Sequence, residues 1–260
     1  MIDEQKKKPI SWPEEIKSLL FIGLIALLIR TFIMEPFYVP TGSMRTTILE
    51  GDYIFGTKYD YGYSKYSFLF FTPEFMKGRI LASEPKRGDI VIMRPPHDME
   101  SRYIKRLIGM PGDKIQILGG LLYINDKAIQ REFIGNFTNE DGRIFKRYLE
   151  TLPNGVQYNA QYLPEDMKKR YDFLDNTKAF IVPEGHYFFM GDNRNESKDS
   201  RSELGFVPSE NLIAKAQFFF FSTKESLWKN TGIVEQFSRL PLWITSIRWN
   251  RFFKNIYSTE

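Results

Sequence analysis

The longest apolar stretch of the chain lies close to its start. Residues 19–29 read LLFIGLIALLI without a single charge, and apolar residues resume shortly afterwards. Counted as residues 16–34, the stretch would form a helix of about 28 Å, close to the ~30 Å hydrocarbon core of a bilayer. Two prolines then favour extended backbone, because proline cannot continue a helix. The pattern predicts an uncleaved transmembrane anchor over residues 16–34, after a short N-terminal segment at residues 1–15.

Two other interpretations of this stretch are a cleaved signal peptide and a buried core helix. A signal peptide is disfavoured because the flank reads MEPFYVP rather than the small residues of a cleavage site. Residues 6–8 and 17 are lysines, whereas Arg45 is the only basic residue between positions 35 and 49. The excess of positive charge before the span predicts a cytoplasmic N-terminus and places residue 35 onward on the opposite side of the membrane.

Beyond residue 34 the apolar positions form short runs instead of a helical repeat. Turn signals such as RGD at residues 87–89 and PGD at residues 111–113 separate the runs. Strands are predicted at residues 53–55, 89–93, 103–110, 114–118, 121–124, 179–182, 186–190 and 214–222. The pattern predicts a mostly β fold with an antiparallel, coiled β-sheet.

The polar stretch at residues 131–176 has weaker periodicity, and it predicts an insertion into the β domain. We expect the main domain to comprise residues 35–118 and 180–223, with a smaller subdomain inserted at residues 119–179. Residues 224–260 would form a C-terminal tail.

Two segments are unusually aromatic, residues 59–75 and the end of the tail. In the tail Trp249, Phe252 and Phe253 alternate with basic residues, a combination typical of the membrane interface. For each segment, contact with lipid and ordinary core packing are alternative interpretations.

Composition narrows the chemistry that the domain can perform. The 260 residues include no Cys and two His, with 36 Lys+Arg against 32 Asp+Glu. The lack of Cys excludes disulfides, thiolate zinc sites and a cysteine nucleophile, and two histidines disfavour a multi-histidine metal site. No basic run is long enough to suggest a nucleic-acid surface. We therefore expect no metal or organic cofactor and no nucleic-acid partner.

Ser43 is a candidate nucleophile because of the backbone that precedes it. The sequence VPTGSM combines a rigid extended entry with a glycine that permits a tight turn. Such a turn can expose a hydroxyl together with outward-facing N–H groups, the elements of an oxyanion hole. A Gly-Ser dipeptide in a loop is weak support by itself.

A serine hydroxyl needs a base to remove its proton. His97 lies in a Pro-rich polar loop and His186 begins an apolar strand, and neither has an evident partner. Lys105 differs from the other lysines because large hydrophobic residues flank it, and strand alternation gives it the face of Tyr103 and Leu107. Burial there would lower its pKa toward neutrality. A strand lysine that extends to solvent is the alternative on the pattern alone.

Taken in order, the motifs of the chain resemble those of bacterial type I signal peptidases (leader peptidases), membrane-anchored serine proteases with a Ser–Lys dyad. The motifs are EPFYVPTGSM at residues 35–44, GDYI at 51–54, RGDIV at 87–91, YIKRLIGMPGD at 103–113, GDNRNESKDSR at 191–201 and GFVP at 205–208. Each motif alone is modest, but their order behind an apolar span makes the resemblance specific.

The resemblance implies that Ser43 is the nucleophile and Lys105 the general base. It also implies an oxyanion hole formed by the Ser43 backbone N–H and the hydroxyl of Thr41, where many relatives have serine. Ser197 would orient the lysine amine.

Three further residues would support the lysine. Asp199 and Arg201 would form an ion pair that shapes the site, and Gly191 would allow the backbone to approach Lys105 closely. Glu196 departs from the small or amide residues of the family pattern, which leaves the charge around Lys105 open.

The resemblance further implies a substrate, the secretory pre-proteins that are cut after a small-x-small segment. An extended peptide can add as a strand to the sheet edge near Ser43. The expected pocket walls are Phe37, Val39, Met44, Ile54, Tyr103 and Ile104. The protein would be a single-pass protein of the inner (cytoplasmic) membrane, in contact with lipid, with its catalytic domain on the periplasmic or outer face.

Other functions remain as alternatives. The main one is a non-catalytic, membrane-tethered β-domain that binds extended peptides. Self-cleaving repressors share Ser–Lys chemistry but would need a DNA-binding N-terminus in place of the apolar span. Penicillin-binding chemistry is disfavoured, because the two S-x-x-K sequences have no accompanying S-D-N or K-T-G.

Overall fold

The computed structural model describes residues 12–68, 72–139, 142–164, 167, 172–224 and 244–258. An apolar helix, α1 (Trp12–Leu28), continues into one π-helical turn at Ile29–Ile33. Among the described residues, Trp12–Ile33 is the one helix long and apolar enough to cross a membrane, with a mean hydropathy of 2.1. Only 6% of its most apolar window is buried, so it is not a core helix. The expected apolar N-terminal helix is confirmed, beginning at Trp12 instead of Ile16.

The rest of the described chain is mostly β-structure. The strands are β1 (Met34–Tyr38), β2 (Asp52–Thr57), β3 (Ile90–Met93), β4 (Tyr103–Gly109), β5 (Lys114–Leu118), β6 (Leu121–Ile124), β7 (Lys127–Ala128), β8 (Gln130–Thr138), β9 (Ile144–Thr151), β10 (Gln157–Tyr162), β11 (Phe180–Ile181), β12 (His186–Met190), β13 (Val207–Pro208) and β14 (Leu212–Ser222). Short helices lie at Lys65–Ser67, α2 (Asp172–Asp175), Ser209–Asn211 and Trp249–Arg251.

The largest sheet has seven strands in the order β1-β2-β14-β3-β4-β12-β13. Every neighbouring pair in it is antiparallel. The pairing of β14 with β2 and β3 is interrupted by register shifts, and such bulges bend a strand and increase its twist. The expected antiparallel, mostly β fold is confirmed.

Two smaller sheets are built from the middle of the chain. One has three strands in the order β10-β9-β8, and the other has four in the order β11-β5-β6-β7. The first lies within the polar stretch that was expected to be inserted. The long strand β8 is exposed at seven of its nine positions, which explains why no apolar alternation predicted it. The domain boundaries stay a prediction.

The core of the large sheet lies directly beneath the segment that carries Ser43. Phe37, Val39, Met44 and Ile54 belong to one buried apolar cluster with residues of β3 and β14. Strand β3 is buried at all four positions, because both faces of the sheet are covered there. This packing fixes the position of the backbone on each side of Ser43.

The two aromatic segments are only partly described. In the first, Tyr61 and Tyr66 are buried, whereas Tyr59 and Phe75 are exposed; residues 69–71 lie outside the described residues. In the tail, Trp249 and Phe253 are exposed, and residues 225–243 lie outside the described part. Contact with lipid stays a prediction for both segments.

Candidate active site

Ser43 lies in a tight turn that follows β1. The Arg45 N–H donates to Gly42 O at 3.1 Å, and the Ile48 N–H donates to Met44 O at 2.9 Å. Met44 and Ile48 are fully buried and hold the turn against the core. The turn predicted from the sequence is therefore present.

Lys105 extends from β4 to Ser43. Its Nζ lies 2.7 Å from Ser43 Oγ and 3.2 Å from its neighbour's carbonyl oxygen, Ile104 O. The residue is 4% exposed. Burial lowers the pKa of the Lys105 amine to about 8, although the carboxylates of Asp199 and Asp192 act in the opposite direction. The structure thus joins a serine hydroxyl to an amine with a strongly depressed pKa.

The two histidines lie away from this pair. The His97 ring packs edge-on against Tyr103, with 6.2 Å between centroids, and His186 Nδ1 lies 2.9 Å from Glu184 O. Neither has a hydrogen bond to Ser43 in the described part of the chain. Lys105 is therefore the base that the geometry offers to this hydroxyl.

The segment that follows β12 holds the Ser43 turn from the other side. The Asn193 backbone N–H donates to Ser43 O at 3.1 Å, and Asn193 Nδ2 donates to Gly42 O at 3.1 Å. A side chain on Gly191 would overlap Ser43 O and the Ser197 side chain. Glycine at position 191 is therefore required by close approach to Ser43 and Ser197, whereas the expected approach to Lys105 stays a prediction.

Asp199 and Arg201 form the expected ion pair, and it is buried. Arg201 Nε donates to Asp199 Oδ1 at 2.9 Å and Arg201 Nη2 to Asp199 Oδ2 at 2.8 Å. The Gly191 N–H also donates to Asp199 Oδ2, at 3.0 Å. Burial alone would raise the pKa of this carboxyl, but Arg201 and these hydrogen bonds outweigh it and lower the pKa. The pair fixes the backbone at Gly191.

Ser197 is buried near the same carboxylate. Its hydroxyl contributes to the lowered pKa of Asp199, yet its Oγ has no hydrogen bond of normal geometry to any described residue. The bond to the Lys105 amine that the resemblance implies is therefore not formed in this structure, and the orienting role of Ser197 stays a prediction.

The Glu196 carboxylate is held by Arg143 and Asn193. Its Oε1 accepts from Arg143 Nη1, and its Oε2 accepts from Asn193 Nδ2 at 3.1 Å. Arg143 therefore neutralises the Glu196 carboxylate, whose effect on the site could not be judged from the sequence. Such a partner is distant in the sequence, and the local motif contains no signal for it.

An ion pair behind the dyad was missed by the sequence analysis. Arg106 Nε donates to Asp192 Oδ1 at 2.8 Å and Arg106 Nη2 to Asp192 Oδ2 at 2.7 Å, while Thr47 Oγ1 donates to the same carboxylate at 2.6 Å. Both charged residues stand inside the quoted motifs, next to Lys105 and Gly191. Strand alternation points Arg106 to the opposite face of β4 from Lys105, and this was the sequence signal that could have revealed a buried partner for Arg106.

An open cleft of about 520 Å³ lies over the dyad. Of the expected pocket walls, four line it: Val39, Met44, Tyr103 and Ile104. The other two, Phe37 and Ile54, lie in the core beneath it. Thr41 lines the cleft and is exposed.

The polar part of the cleft lining includes residues that sequence reasoning did not select. They are Ser101, Arg102 and Lys198, next to Glu196. No group of three or more His, Cys, Asp or Glu in the described ranges is placed to hold a metal ion.

A serine hydroxyl beside a buried lysine with a lowered pKa, open to a cleft, is an arrangement that a Ser–Lys hydrolase could use. A family model described as signal peptidase, peptidase S26, matches residues 12–221. This chain belongs to that family, the signal peptidases of peptidase family S26, and is a serine peptidase.

Similar proteins carry the same description. A signal peptidase I of Rickettsia canadensis (strain McKiel) is 55% identical over 263 residues, which cover 100% of this chain and 99% of the relative. A signal peptidase I of Rickettsia akari (strain Hartford) is 57% identical over 251 residues, 95% of this chain and 94% of the relative. The resemblance to type I signal peptidases is confirmed.

A solved structure of a signal peptidase I from Enterococcus faecalis V583 is 28% identical in sequence and covers 51% of this chain and 97% of its own. Its TM-score is 0.32, too low to support a comparison of folds.

Proposed function

We propose that this protein is a membrane-bound endopeptidase that cleaves N-terminal signal peptides from exported pre-proteins after a small-x-small segment. Ser43 is the nucleophile and Lys105 the general base. One observation carries the proposal: the Lys105 amine lies 2.7 Å from Ser43 Oγ and is buried, with its pKa lowered to about 8.

The proposed reaction begins with a proton transfer from serine to lysine. The neutral Lys105 amine accepts the Ser43 proton as Oγ attacks the scissile carbonyl, and the resulting ammonium then donates that proton to the leaving amine. The neutral amine next takes a proton from water, which attacks the acyl-enzyme ester, and returns it to Ser43 Oγ as the ester bond breaks. The pKa near 8 suits both directions of transfer at ordinary pH.

We assign the oxyanion hole to the Ser43 N–H and the Thr41 hydroxyl. The supporting observation is that Thr41 lies exposed in the same cleft, two residues before Ser43. Two donors placed in advance stabilise the charge that develops on the carbonyl oxygen. Threonine keeps the hydroxyl donor of serine and adds a methyl group beside the substrate.

The cleft supports the small-x-small preference. Val39, Met44, Tyr103 and Ile104 form apolar walls on either side of Ser43. An extended peptide that adds beside the sheet points alternate side chains at the same wall, so its first and third residues before the cut meet the same surface. We propose that large side chains at these two positions are excluded by contact with the walls.

The apolar helix supports the proposed location. Trp12–Ile33 is long enough to cross a bilayer, and its C-terminal end leads within ten residues to Ser43. We propose a single-pass protein of the inner membrane, with a cytoplasmic N-terminus and the catalytic domain outside. The lysines at residues 6–8, which support this orientation, lie outside the described residues. The anchor would keep Ser43 near the membrane face, where signal peptides end.

The test is a processing assay on a pre-protein with the Ser43→Ala and Lys105→Met variants. We expect each variant to lose at least about 10³-fold in kcat/KM, because each removes one half of the proposed dyad. His97→Asn and His186→Asn serve as matched controls and should process like the parent. N-terminal sequencing of the product checks the cut after a small-x-small segment.

If both dyad variants process like the parent, the catalytic assignment fails. Binding of signal peptides without cleavage would then favour a non-catalytic, peptide-binding β-domain.

A further inference from the structure

A second cavity, of about 470 Å³, lies on the other side of the Ser43 turn. It shares no lining residue with the cleft over the dyad. Thr46 and Thr47 form one wall, β9 and β10 supply a second, and residues 254–258 of the tail supply a third. The proposed reaction uses none of this space.

The lining of this second cavity is cationic. Arg106, Arg147, Arg251 and Lys254 all line it, and the described lining contains no Asp or Glu. Two of these cations are paired with carboxylates that do not line the cavity. Arg106 is held by Asp192, and Arg251 donates to both oxygens of Asp52, at 3.0 and 2.7 Å.

The charge of Arg147 is not balanced by an ion pair with any described residue. Its guanidinium stacks on the Phe137 ring at 3.7 Å, its Nε is buried without a hydrogen-bond partner, and no ion pair joins it to another described residue. Burial lowers the pKa of Arg147, and no nearby carboxylate opposes the shift. A buried charged donor without a partner is costly and is rare unless a ligand or water completes it.

Gln161 provides a second unpartnered group; it does not itself line the cavity but lies next to Arg147, which does. It is the cross-strand neighbour of Arg147 in the β9–β10 pair, so both side chains lie on one face of the sheet. Strand alternation puts Gln161 on the face of Gln157 and Asn159, which line the cavity. Gln161 is 1% exposed, and neither of its amide atoms has a hydrogen-bond partner among the described residues.

We propose that this cavity binds a phosphate group, with Arg147 as its principal cation and Gln161 as a hydrogen-bond donor. Phosphate oxygens accept hydrogen bonds from guanidinium and amide N–H groups, and phosphate carries the charge that the lining lacks. The side-chain amide of Gln157 adds a further hydrogen-bond donor to the cavity lining. The phosphate belongs either to a phospholipid headgroup or to a soluble phosphate compound.

The experiment uses the full chain in maltoside micelles that contain no phosphate, and measures binding by calorimetry. Inorganic phosphate is one probe; the other is short-chain phosphatidylglycerol, with diacylglycerol as its phosphate-free control. We expect Arg147→Gln to weaken phosphate binding by about 10–100-fold, the loss typical of a charge-assisted hydrogen bond. Lys127→Gln removes one positive charge from the exposed strand β7 and should bind like the parent.

The Gln161→Leu variant tests whether the Gln161 amide binds the phosphate ligand or is hydrogen-bonded by water alone. This variant keeps the volume and removes the unpartnered amide, so the folded protein should be at least as stable as the parent. Under the proposal its affinity for phosphate falls nonetheless. Unchanged affinity in both Arg147→Gln and Gln161→Leu would overturn the assignment.

The two probes distinguish the sources of the phosphate. Tighter, Arg147-dependent binding of phosphatidylglycerol than of inorganic phosphate indicates a lipid headgroup, and the opposite order indicates a soluble ligand. If neither probe binds in an Arg147-dependent way, or if Lys127→Gln weakens binding as much as Arg147→Gln does, the cavity is not a phosphate site.

Discussion

The Lys105 amine is almost completely shielded from water at 2.7 Å from Ser43 Oγ. Burial lowers its pKa to about 8, against the opposing effect of Asp199 and Asp192. By that value, roughly one amine in ten is neutral at pH 7. Only the neutral amine can accept the Ser43 proton, so the reactive fraction increases as the pH rises toward and through 8.

The pH dependence of kcat/KM should report this amine. We expect kcat/KM to rise about tenfold per pH unit below pH 7 and to level off above about pH 9, because the free enzyme titrates near 8. The measurement is initial-rate hydrolysis of a soluble signal-sequence peptide across pH 5–10. The double variant His97→Asn/His186→Asn should give the same profile.

A limb near pH 6.5 that disappears in the double histidine variant would contradict the lysine base. So would direct NMR titration that finds the Lys105 amine cationic above pH 10 in the active protein.

Single residues of the site were predictable where the chemistry is local. The turn that glycine permits made Ser43 a candidate and the apolar neighbours on a strand made Lys105 one, but only the resemblance to signal peptidases assigned their roles. Phe37 was placed on a pocket wall but packs in the core, because the side of the sheet that a strand residue faces depends on strands far away in sequence. Arg143, the partner of Glu196, lies 53 residues away and left no local signal.

At the scale of elements, a buried charge cluster joins the apolar helix to the large sheet. The Glu35 carboxylate on β1 accepts from Arg30 at 3.3 Å, Lys58 at 2.8 Å and Arg102 at 3.0 Å. Burial alone would raise the pKa of Glu35, but Lys58 and Arg102 outweigh it and lower the pKa. Arg102 also lines the cleft and stacks on Phe37 at 5.3 Å. One carboxylate thus links the end of the helix, β1 and the cleft.

Removal of this carboxylate should be strongly destabilising. We expect Glu35→Gln to cost about 3–5 kcal/mol of the free energy of unfolding, because the buried Lys58 ammonium then keeps only the Ser67 carbonyl oxygen and loses its carboxylate. Adding Lys58→Met to Glu35→Gln should recover part of that loss. The measurement is urea unfolding of the full chain in micelles.

Glu50→Gln is the matched control, since it breaks the exposed Arg45–Glu50 pair. Such surface pairs contribute about 0–1 kcal/mol. A cost for Glu35→Gln no larger than that of the control would refute the role of the cluster.

Strands with apolar alternation between turn signals were predicted well, and two kinds of strand were not. Strand β1 contains Pro36, which argues against a central strand, but β1 is the edge of the sheet and an edge tolerates proline. Strand β8 pairs along its full length with β9 while most of its side chains are exposed. Its stability comes from backbone pairing, which hydropathy does not reveal.

At the scale of the whole molecule, local sequence patterns could not predict the order of the strands in the large sheet. Strand β14 lies between β2 and β3, although it is the last described strand in the sequence and its Lys215 pairs with Thr57 across 158 residues. Alternation predicts that a strand exists, whereas its neighbours depend on the complete set of surfaces to be buried. The apolar N-terminal helix was predictable because length and hydropathy alone define it.

The anchor should account for membrane retention of the whole protein. We expect Leu24→Arg with Ile25→Arg to release the chain from membranes at alkaline pH, because each arginine costs about 2.5–3.5 kcal/mol at the centre of a spanning helix. Processing of membrane-bound pre-proteins should fall, while hydrolysis of a short soluble peptide persists. Fractionation and the two activity assays measure these outcomes.

Leu24→Ala with Ile25→Ala is the control and should stay in the membrane fraction. Retention of the double arginine variant would mean that another part of the chain holds the protein on the membrane.

The Ser43 turn is held by residues that the ribosome adds to the chain much later than Ser43. Asn193 Nδ2 contacts Gly42 O across 151 residues, and Thr46, which has the unusual φ of 100°, donates to Asn159 O across 113 residues. Ribosomes make the chain from its N-terminus, so the nucleophile emerges long before the groups that hold it in place. A nascent chain that has not yet reached residue 193 carries Ser43 and Lys105 without their working geometry. We therefore expect the enzyme to be inactive during most of its own synthesis.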